Sequence, residues 1–187
     1  IWAPRAAALF CLGYLLFAAS QHRVAEIAQA ELIRMRDHNA TRHIIKPSIG
    51  NIFLHRSVYL HDGIYYVDGI HVFPGLPPKI YTGGEIEALK IKEAFPLLKE
   101  DTPQAKDVSR FDQLSDGYLC QHPEADEVIG DIRYGMLPTS KSPLWGVKIN
   151  TTNPDESVEF VKYRTVGKAD LNMFYRMLFR RSVPIAE

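Results

Sequence analysis

The sequence predicts an α+β protein, in which an N-terminal transmembrane helix and helical stalk precede a mostly antiparallel sheet domain with two or three helices. Three observations support this fold class. A run without charges occupies residues 6–19, an Asp-Gly pair separates two segments rich in β-forming residues, and apolar residues recur at helical spacing near the C-terminus. We expect the helix and stalk over residues 1–38 and the soluble domain over residues 43–181.

The composition excludes several classes of protein. The 187 residues include 22 Lys and Arg and 22 Asp and Glu, which gives a formal net charge of zero. A hydrophobic fraction of 46% excludes a disordered chain, and two cysteines are too few for a disulfide scaffold. Nucleic-acid-binding domains usually carry a basic surface, so no contact with nucleic acid is expected.

The apolar run has three interpretations. It has the length of a signal-peptide core, and Ala18-Ala19-Ser20 resembles a cleavage site. It also fits a buried helix of a soluble protein. As a transmembrane helix it would extend over residues 1–19, about 28 Å, with Arg5 at the membrane interface. The chain begins with Ile1 rather than Met, which favours a transmembrane helix that follows a missing upstream region.

The charges around the run predict its orientation. One arginine precedes it, and the three that follow within the stalk are Arg23, Arg34 and Arg36. Basic residues accumulate on the cytoplasmic side of transmembrane helices, so the domain is expected in the cytoplasm. With Cys11 in lipid and Cys120 in the domain, the two thiols would be too far apart to form a disulfide.

A hairpin is predicted at the start of the domain. Asp62-Gly63 is typical of a two-residue turn, which pairs residues 51–61 with residues 64–73. The pairing sets Leu60 opposite Tyr65, Val58 opposite Val67, and Leu54 opposite His71, on a face that looks like core. The other face is predicted to be wetter and carries His55, Ser57, Tyr59, Tyr66 and Asp68.

The rest of the domain is predicted to combine three helices with short strands. Gly83-Gly84 precedes a predicted helix over residues 85–95, and Thr102-Pro103 begins a second that ends near Arg110. The last helix is indicated by Leu171, Phe174, Tyr175 and Leu178. Further strands are predicted over residues 79–82, 117–121, 128–134, 144–150 and 158–163. The basic segment 164–181 is either a solvated helix face or a contact with anionic lipid.

Two short motifs are candidates for a functional site. Asp131 and Arg133 lie two residues apart on a predicted strand and so share a face. They form either a structural ion pair or a site at which Arg133 binds an anionic headgroup, carboxylate or phosphate. Ser115-Asp116-Gly117 is typical of a turn that enters a strand, because no Gly-x-Ser-x-Gly motif surrounds the serine. Cys120 is expected to be packed inside a strand.

The seven histidines do not have the spacing of a metal site. His55 and His61 share a strand face but lie about 20 Å apart along it. Asp68 and His71 point to opposite faces because their separation is odd. We therefore expect no metal ligand in this chain.

The order of the motifs resembles a known family. Gly13-Tyr14-Leu15-Leu16 lies in the apolar helix, and Lys46-Pro47-Ser48 and Asn51-Ile52-Phe53 lead into the Asp62-Gly63 hairpin with Tyr65-Tyr66-Val67. Arg110-Phe111, Ser115-Asp116-Gly117-Tyr118 and Asp131-Ile132-Arg133-Tyr134-Gly135 follow. Over about residues 1–150 the chain is similar to the C-terminal half of the bacterial inner-membrane metal-dependent hydrolases, also described as LexA-binding membrane-associated hydrolases.

The resemblance implies a location, a reaction class and a set of positions. It implies the C-terminal part of an inner-membrane hydrolase whose divalent metal is held by His and Asp residues of an N-terminal membrane region outside this chain. The matching positions, of unassigned role, are Arg110, Ser115, Asp116, Gly117, Asp131, Arg133, Tyr134 and Gly135. Two alternatives remain open, a non-enzymatic membrane-tethered binding module and an exported binding domain behind a signal peptide.

Overall fold

A long helix and two antiparallel sheets make up the computed structural model, which describes residues 2–99, 101–150, 152–153 and 155–184. The elements are α1 (Trp2–Met35), β1 (Arg42–Pro47), β2 (Leu54–His61), β3 (Ile64–Phe73), β4 (Leu76–Glu87), α2 (Ile91–Ala94), α3 (Pro103–Leu114), β5 (Leu119–His122), β6 (Ala125–Asp131), β7 (Trp145–Lys148), β8 (Glu159–Lys162) and α4 (Lys168–Leu178). The first sheet has the order β1-β2-β3-β4 and the second the order β5-β6-β7-β8. The predicted α+β fold class is confirmed.

Helix α1 is continuous over 34 residues, about 51 Å. Its N-terminal half is exposed, and within the described part of the chain it is long and apolar enough to span a membrane. Its C-terminal half buries one stripe of side chains, Gln21, Ala25, Ala28, Gln29 and Leu32. These residues recur every three or four positions, so they lie on one face of the helix. The predicted stalk is therefore a helix face packed on the domain.

The first sheet has the predicted hairpin at its centre. Leu60 pairs with Tyr65, Val58 with Val67, and Leu54 with His71, as the Asp62-Gly63 turn predicts. Asp62 and Gly63 both have positive φ, 49° and 79°, which is the geometry that selects this residue pair.

The prediction of a wetter second face is wrong. Stalk residues of α1 cover that face, and Ala25 and Ala28 pack against Ile45, Ile70 and Val72. The Gln29 amide also donates hydrogen bonds to Ser57 Oγ at 2.8 Å and to the Ile44 carbonyl at 2.9 Å. The predicted wet residues His55, Ser57, Tyr59 and Asp68 are consequently buried.

The predicted helix over residues 85–95 is also wrong. Strand β4 continues through Gly83-Gly84 to Glu87, and the only helix in that stretch is the four-residue α2. Pairing with β3 explains the difference, because Ile64 and Tyr65 align with Glu87 and Ile86. A Cβ on Gly83 would collide with the carbonyl oxygens of Val67 and Thr139, so this position admits two close backbones.

The second sheet packs between the first sheet and α3. Its outer face and α3 form a core from Val108, Phe111, Leu119, Ile129 and Val147. Its inner side contributes Tyr118, Cys120 and Ile132 to a cluster with Val58 and Val67 of the first sheet. Helix α3 begins at the predicted cap, where Thr102 Oγ1 accepts a hydrogen bond from the Ala105 amide.

Helix α4 packs across the first sheet through Met177, which contacts Leu54 and Tyr81. The helix was predicted from the spacing of its apolar residues. The predicted strand over residues 128–134 ends earlier, at Asp131, so Arg133 lies in a turn and not on the strand. Cys120 is buried as predicted, and burial raises the pKa of its thiol to about 12.

Candidate binding cleft

A cleft of about 550 Å³ separates α3 from the outer side of β6, β7 and β8. Five of the eight motif positions named from the sequence line it, namely Arg110, Ser115, Asp131, Arg133 and Tyr134. The remaining three lie beside the cleft: Asp116 and Gly117 in the turn after α3, and Gly135 in the β6–β7 connection. Residues distant in sequence are thus brought to one place by the packing of α3 on the second sheet.

Arg133 and Asp131 form the ion pair that their spacing allows. Arg133 Nε lies 2.9 Å from Asp131 Oδ1 and Nη2 lies 2.8 Å from Oδ2, a bidentate geometry. The side chains are 13% and 3% exposed. The hydrogen-bonded carboxylate raises the pKa of Arg133, so the guanidinium stays charged. Of the two interpretations of this motif, the structure shows the ion pair.

The Arg133 guanidinium also caps the C-terminus of α3. Arg133 Nη2 donates to the carbonyl of Leu114 at 2.7 Å, at the last residue of the helix. A cation at a helix C-terminus is stabilised by the helix dipole and satisfies a carbonyl that has no partner within the helix. Arg133 therefore links the end of β6 to the end of α3.

The turn after α3 is held from the first sheet. Asp116 and Gly117 have positive φ, 50° and 67°, which suits the residue types that the sequence places there. Arg42 of β1 pairs with the Asp116 carboxylate at 3.3 Å and also donates to the Asp116 carbonyl. Tyr65 Oη donates to the Gly117 carbonyl at 3.0 Å. These contacts assign Asp116 and Gly117 a structural role in positioning the cleft.

Ser115 ends α3 as a buried residue. Its hydroxyl has no hydrogen-bond partner among the described residues. No imidazole or carboxylate in the described part of the chain accepts its proton, so the structure gives no nucleophile–base pair at this serine.

Two aromatic rings line one side of the cleft, and each is in contact with a cation. Tyr134 and Trp145 have ring centroids 4.6 Å apart. Lys46 Nζ lies 4.6 Å from the Tyr134 ring centroid and donates to Tyr134 Oη at 2.9 Å, and Arg164 Cζ lies 5.5 Å from the Trp145 ring. Neither cation has a carboxylate partner among the described residues, and each lies against a ring that lines the cleft. The sequence placed Lys46 in a motif and Arg164 in the basic segment, but it did not bring them together with Trp145, because the three come from β1, the segment after β8 and β7.

Arg110 lies at the cleft mouth. Its side chain is 74% exposed and pairs with Asp107 at 3.0 Å, one helical turn away. An exposed pair of this kind adds little stability, so Arg110 is free to exchange Asp107 for an anionic group of a ligand.

Gly135 lies against the side chain of Arg56, a residue that belongs to none of the sequence motifs. Arg56 of β2 is buried and donates to the carbonyls of Ile132, Leu137 and Pro138 at 2.8 to 3.1 Å. A Cβ on Gly135 would meet the Arg56 guanidinium at 2.7 Å. Burial lowers the pKa of Arg56 to about 10, which leaves it charged at neutral pH. The glycine of the motif therefore makes room for an arginine that holds the β6–β7 connection.

The described residues contain no group of three or more His, Cys, Asp or Glu side chains placed to hold a metal ion. His55 and His61 lie at opposite ends of β2, as their spacing predicts.

Comparisons with protein-family models, with curated proteins and with solved structures find no match to this chain. The fold and the cleft define the class by themselves. It is a two-sheet α+β domain carried on a long apolar helix, with a cleft lined by aromatic rings and cations.

Proposed function

We propose that this chain is the membrane-anchored C-terminal part of an integral-membrane hydrolase, in which the α+β domain recognises the substrate. Helix α1 crosses the bilayer of the bacterial inner membrane, and the domain lies in the cytoplasm. The observation that carries the proposal is the division of α1, since an exposed apolar half continues without a break into a half that is packed on the domain.

The cleft supports recognition as the role of the domain. Its aromatic side, with Lys46 and Arg164 against the rings, suits a ligand with an anionic group and an apolar or ring-shaped part. The chemistry is assigned to a divalent metal in an N-terminal membrane region, as in the family that the sequence resembles. Arg110, Lys46 and Arg164 are the groups of this chain that would contact the ligand.

Anchoring is tested by fractionating cells that express the full chain. We expect the chain to stay in the membrane after alkaline extraction. Leu12→Asp combined with Leu15→Asp should release it, because each central charge raises the insertion free energy by about 3 kcal/mol. The matched control changes two exposed apolar residues of the stalk half, Ile27→Asp and Met35→Asp, and should remain in the membrane. Release of both variants, or of neither, would contradict the proposal.

The hydrolase assignment is tested on the protein with its upstream membrane region. We expect hydrolysis of chromogenic phosphate or carboxylate esters that needs Mg²⁺, Mn²⁺ or Zn²⁺ and is abolished by EDTA. Trp145→Ala should raise KM more than it lowers kcat, because a recognition residue contributes to binding. Trp145→Phe should restore much of the affinity.

A second candidate is a non-enzymatic, membrane-tethered binding module. It is favoured by the cleft, where Asp131 and Arg133 pair with each other and Ser115 has no base within reach among the described residues. The folded full-length protein would then show no metal-dependent turnover on any of these esters, while Trp145→Ala would still weaken ligand binding.

A further inference from the structure

The path of α1 along the first sheet shows which edge of the domain faces the membrane. Phe17 contacts Phe53, His22 contacts His55, Gln29 bonds Ser57, and Arg36 bonds Tyr59. The helix therefore runs parallel to β2 and leaves the sheet at the end where β2 begins. Antiparallel pairing puts the end of β1, the end of β3 and the start of β4 at the same edge.

This edge carries exposed apolar residues, and we call it the apical rim. It consists of the β1–β2 loop (residues 48–53), the β3–β4 turn (73–76) and the segment after α4 (179–181). Ile49 is 87% exposed and Phe179 is 66% exposed, and Phe73 and Leu76 are also exposed. Isolated exposed apolar residues are ordinary, but these belong to three separate segments at one edge.

Hydrogen bonds hold the segments of the rim in place. Asn51 Oδ1 accepts hydrogen bonds from the Phe53 and Leu54 amides at 3.0 and 2.6 Å, and Ser48 Oγ donates to the Leu54 carbonyl at 2.8 Å. The loop that presents Ile49 is thus fixed by its own polar groups. His71 bonds the Leu178 carbonyl at 2.9 Å and Arg180 donates to the Pro77 carbonyl at 2.9 Å, which joins the end of α4 to the β3–β4 turn.

The charge around the rim has one sign. No Asp or Glu occurs in residues 44–60, 71–84 or 171–184, although the chain has 22 acidic residues in total. The same segments contain Lys79, Arg180 and Arg181. The Arg181 side chain is exposed and has no partner among the described residues. Apolar residues beside basic ones, without carboxylates, are what an anionic lipid surface binds.

We propose that the apical rim is a second membrane contact, which inserts Ile49, Phe73, Leu76 and Phe179 among the headgroups of a leaflet that contains anionic lipid. The proposal rests on the proposed function, because α1 must cross the bilayer for the rim to reach it. Phe17, at the end of the apolar half, touches the rim residue Phe53 with ring centroids 6.2 Å apart, so the rim lies level with the membrane boundary. When the rim is docked, the membrane holds the domain at two places, α1 and the rim.

The test uses the full chain in vesicles and an environment-sensitive fluorophore on single cysteines. Native Cys11, in the exposed half of α1, reports on the anchor; Ile49→Cys and Leu76→Cys, made with Cys11→Ser, report on the rim. Leu114→Cys is the matched control, because Leu114 is apolar and 77% exposed but is the last residue of α3, at the opposite edge. Buried Cys120 is left in place, and a Cys11→Ser chain without a new cysteine gives the background label.

In vesicles with anionic phosphatidylglycerol, spin-labelled lipid should quench the fluorophore at Ile49 and Leu76 but not at Leu114. Arg181→Gln should lower the ratio of docked to undocked domain about fivefold, since each basic residue near an anionic surface contributes about 1 kcal/mol. Lys168→Gln, at the other end of α4, should leave the ratio unchanged. Equal quenching at Ile49, Leu76 and Leu114, with Cys11 quenched, would overturn the rim proposal alone. An unquenched Cys11 would instead overturn the anchor and the proposed function.

Discussion

At the scale of single residues, the ion pair of Asp131 and Arg133 fixes the cleft. One guanidinium binds a buried carboxylate and the last carbonyl of α3, so the loss of either partner would leave the other buried and unpaired. Arg110 differs because solvent surrounds its pair with Asp107. The same type of contact should therefore contribute very different amounts of stability at the two places.

Asp131→Asn should lower the free energy of unfolding by about 3–5 kcal/mol, the range for breaking a buried ion pair. Arg110→Gln is the control and should change it by less than about 1 kcal/mol. Urea unfolding of the full chain in detergent measures both, with the fluorescence of Trp145 reporting on the second sheet. Similar midpoints for the two variants would contradict the assigned role of Arg133.

His55 should make stability depend on pH. Burial, with smaller effects from His22 and His71, lowers the pKa of His55 to about 4. The unfolded value is about 6.5, so its contribution to stability is complete above about pH 6.5 and is lost as the pH falls towards 4. The loss over this window should be about 3 kcal/mol.

His55→Gln should flatten this pH dependence, because glutamine does not titrate. Unfolding free energies at pH 4.5, 5.5 and 7.5 measure the effect, and the difference between the two chains isolates His55 from the other histidines. If the free energy of unfolding had the same pH dependence in the variant and in the unchanged chain, His55 would bind its proton equally well in the folded and unfolded states.

At this scale, a contact could be predicted from the sequence only when its two residues lie close together along the chain. Asp131 and Arg133 are two residues apart, so their proximity follows from any extended or turn geometry. The contacts of Arg56 with residues 132–138, and of Lys46 with Tyr134, join positions separated by 76 to 88 residues. Neither residue type nor local pattern marks such pairs, because they arise from the packing of one sheet on the other.

At the scale of elements, the stalk half of α1 acts as a layer of the domain. Ala25 is fully buried between α1 and the first sheet, and Ala30 on the same helix is exposed. Small residues at the contact let the helix approach the strands closely.

Ala25→Leu should weaken the packing of α1 on the sheet by about 1–3 kcal/mol, because the added carbons have no space. Ala30→Leu adds the same atoms on the exposed side and should change stability by less than about 0.5 kcal/mol. Hydrogen exchange of the α1 amides at residues 21–35 measures the docking. Equal exchange rates in the two variants would mean that the helix does not pack where the structure has it.

Two neighbouring glycines of strand β4 allow a second comparison of matched variants. Gly83→Ala should destabilise the domain strongly, since the new methyl group meets the carbonyls of Val67 and Thr139, which belong to fixed backbone. Gly84→Ala meets no backbone atom but the Cβ, Cγ and Cδ atoms of Lys141 at 2.9 to 3.1 Å, and it should be milder than Gly83→Ala. Thermal unfolding of both variants makes the comparison, and a milder Gly83→Ala would contradict the close approach of the two backbones.

These glycines also show why one helix prediction was wrong. A glycine pair followed by Glu, Ala, Leu and Lys favours a helix when residues 83–95 are considered alone. Strand β3 offers β4 a partner as far as Glu87, and the hydrogen bonds of that pairing outweigh the local preference. Helix α3 was predicted well because its cap, Thr102-Pro103, is a local signal that tertiary contacts do not oppose.

At the scale of the whole molecule, Arg56 ties the two sheets together. It stands on β2 and binds three carbonyls of the chain between β6 and β7. Arg56→Met should lower stability by about 3 kcal/mol, because buried carbonyls lose their donors. Unfolding followed at Trp145 and by far-ultraviolet circular dichroism should give one midpoint for the unchanged chain and two for the variant. Coincident midpoints in the variant would show that other contacts suffice to couple the sheets.

Because α1 is unbroken, it determines how a ligand can reach the cleft. No glycine or proline lies between Gly13 and Pro47, so no flexible joint separates the exposed apolar half of the helix from the sheet that the other half packs on. Strand β1 extends from the apical rim at Pro47 to Arg42 beside the cleft, about 17 Å away. If α1 crosses the bilayer as proposed, the helix holds the cleft at this distance below the lipid surface. A ligand must then either arrive from the aqueous phase or be long enough to extend from the membrane to that depth. The rigid helix therefore determines how far from the lipid surface the cleft can bind a ligand.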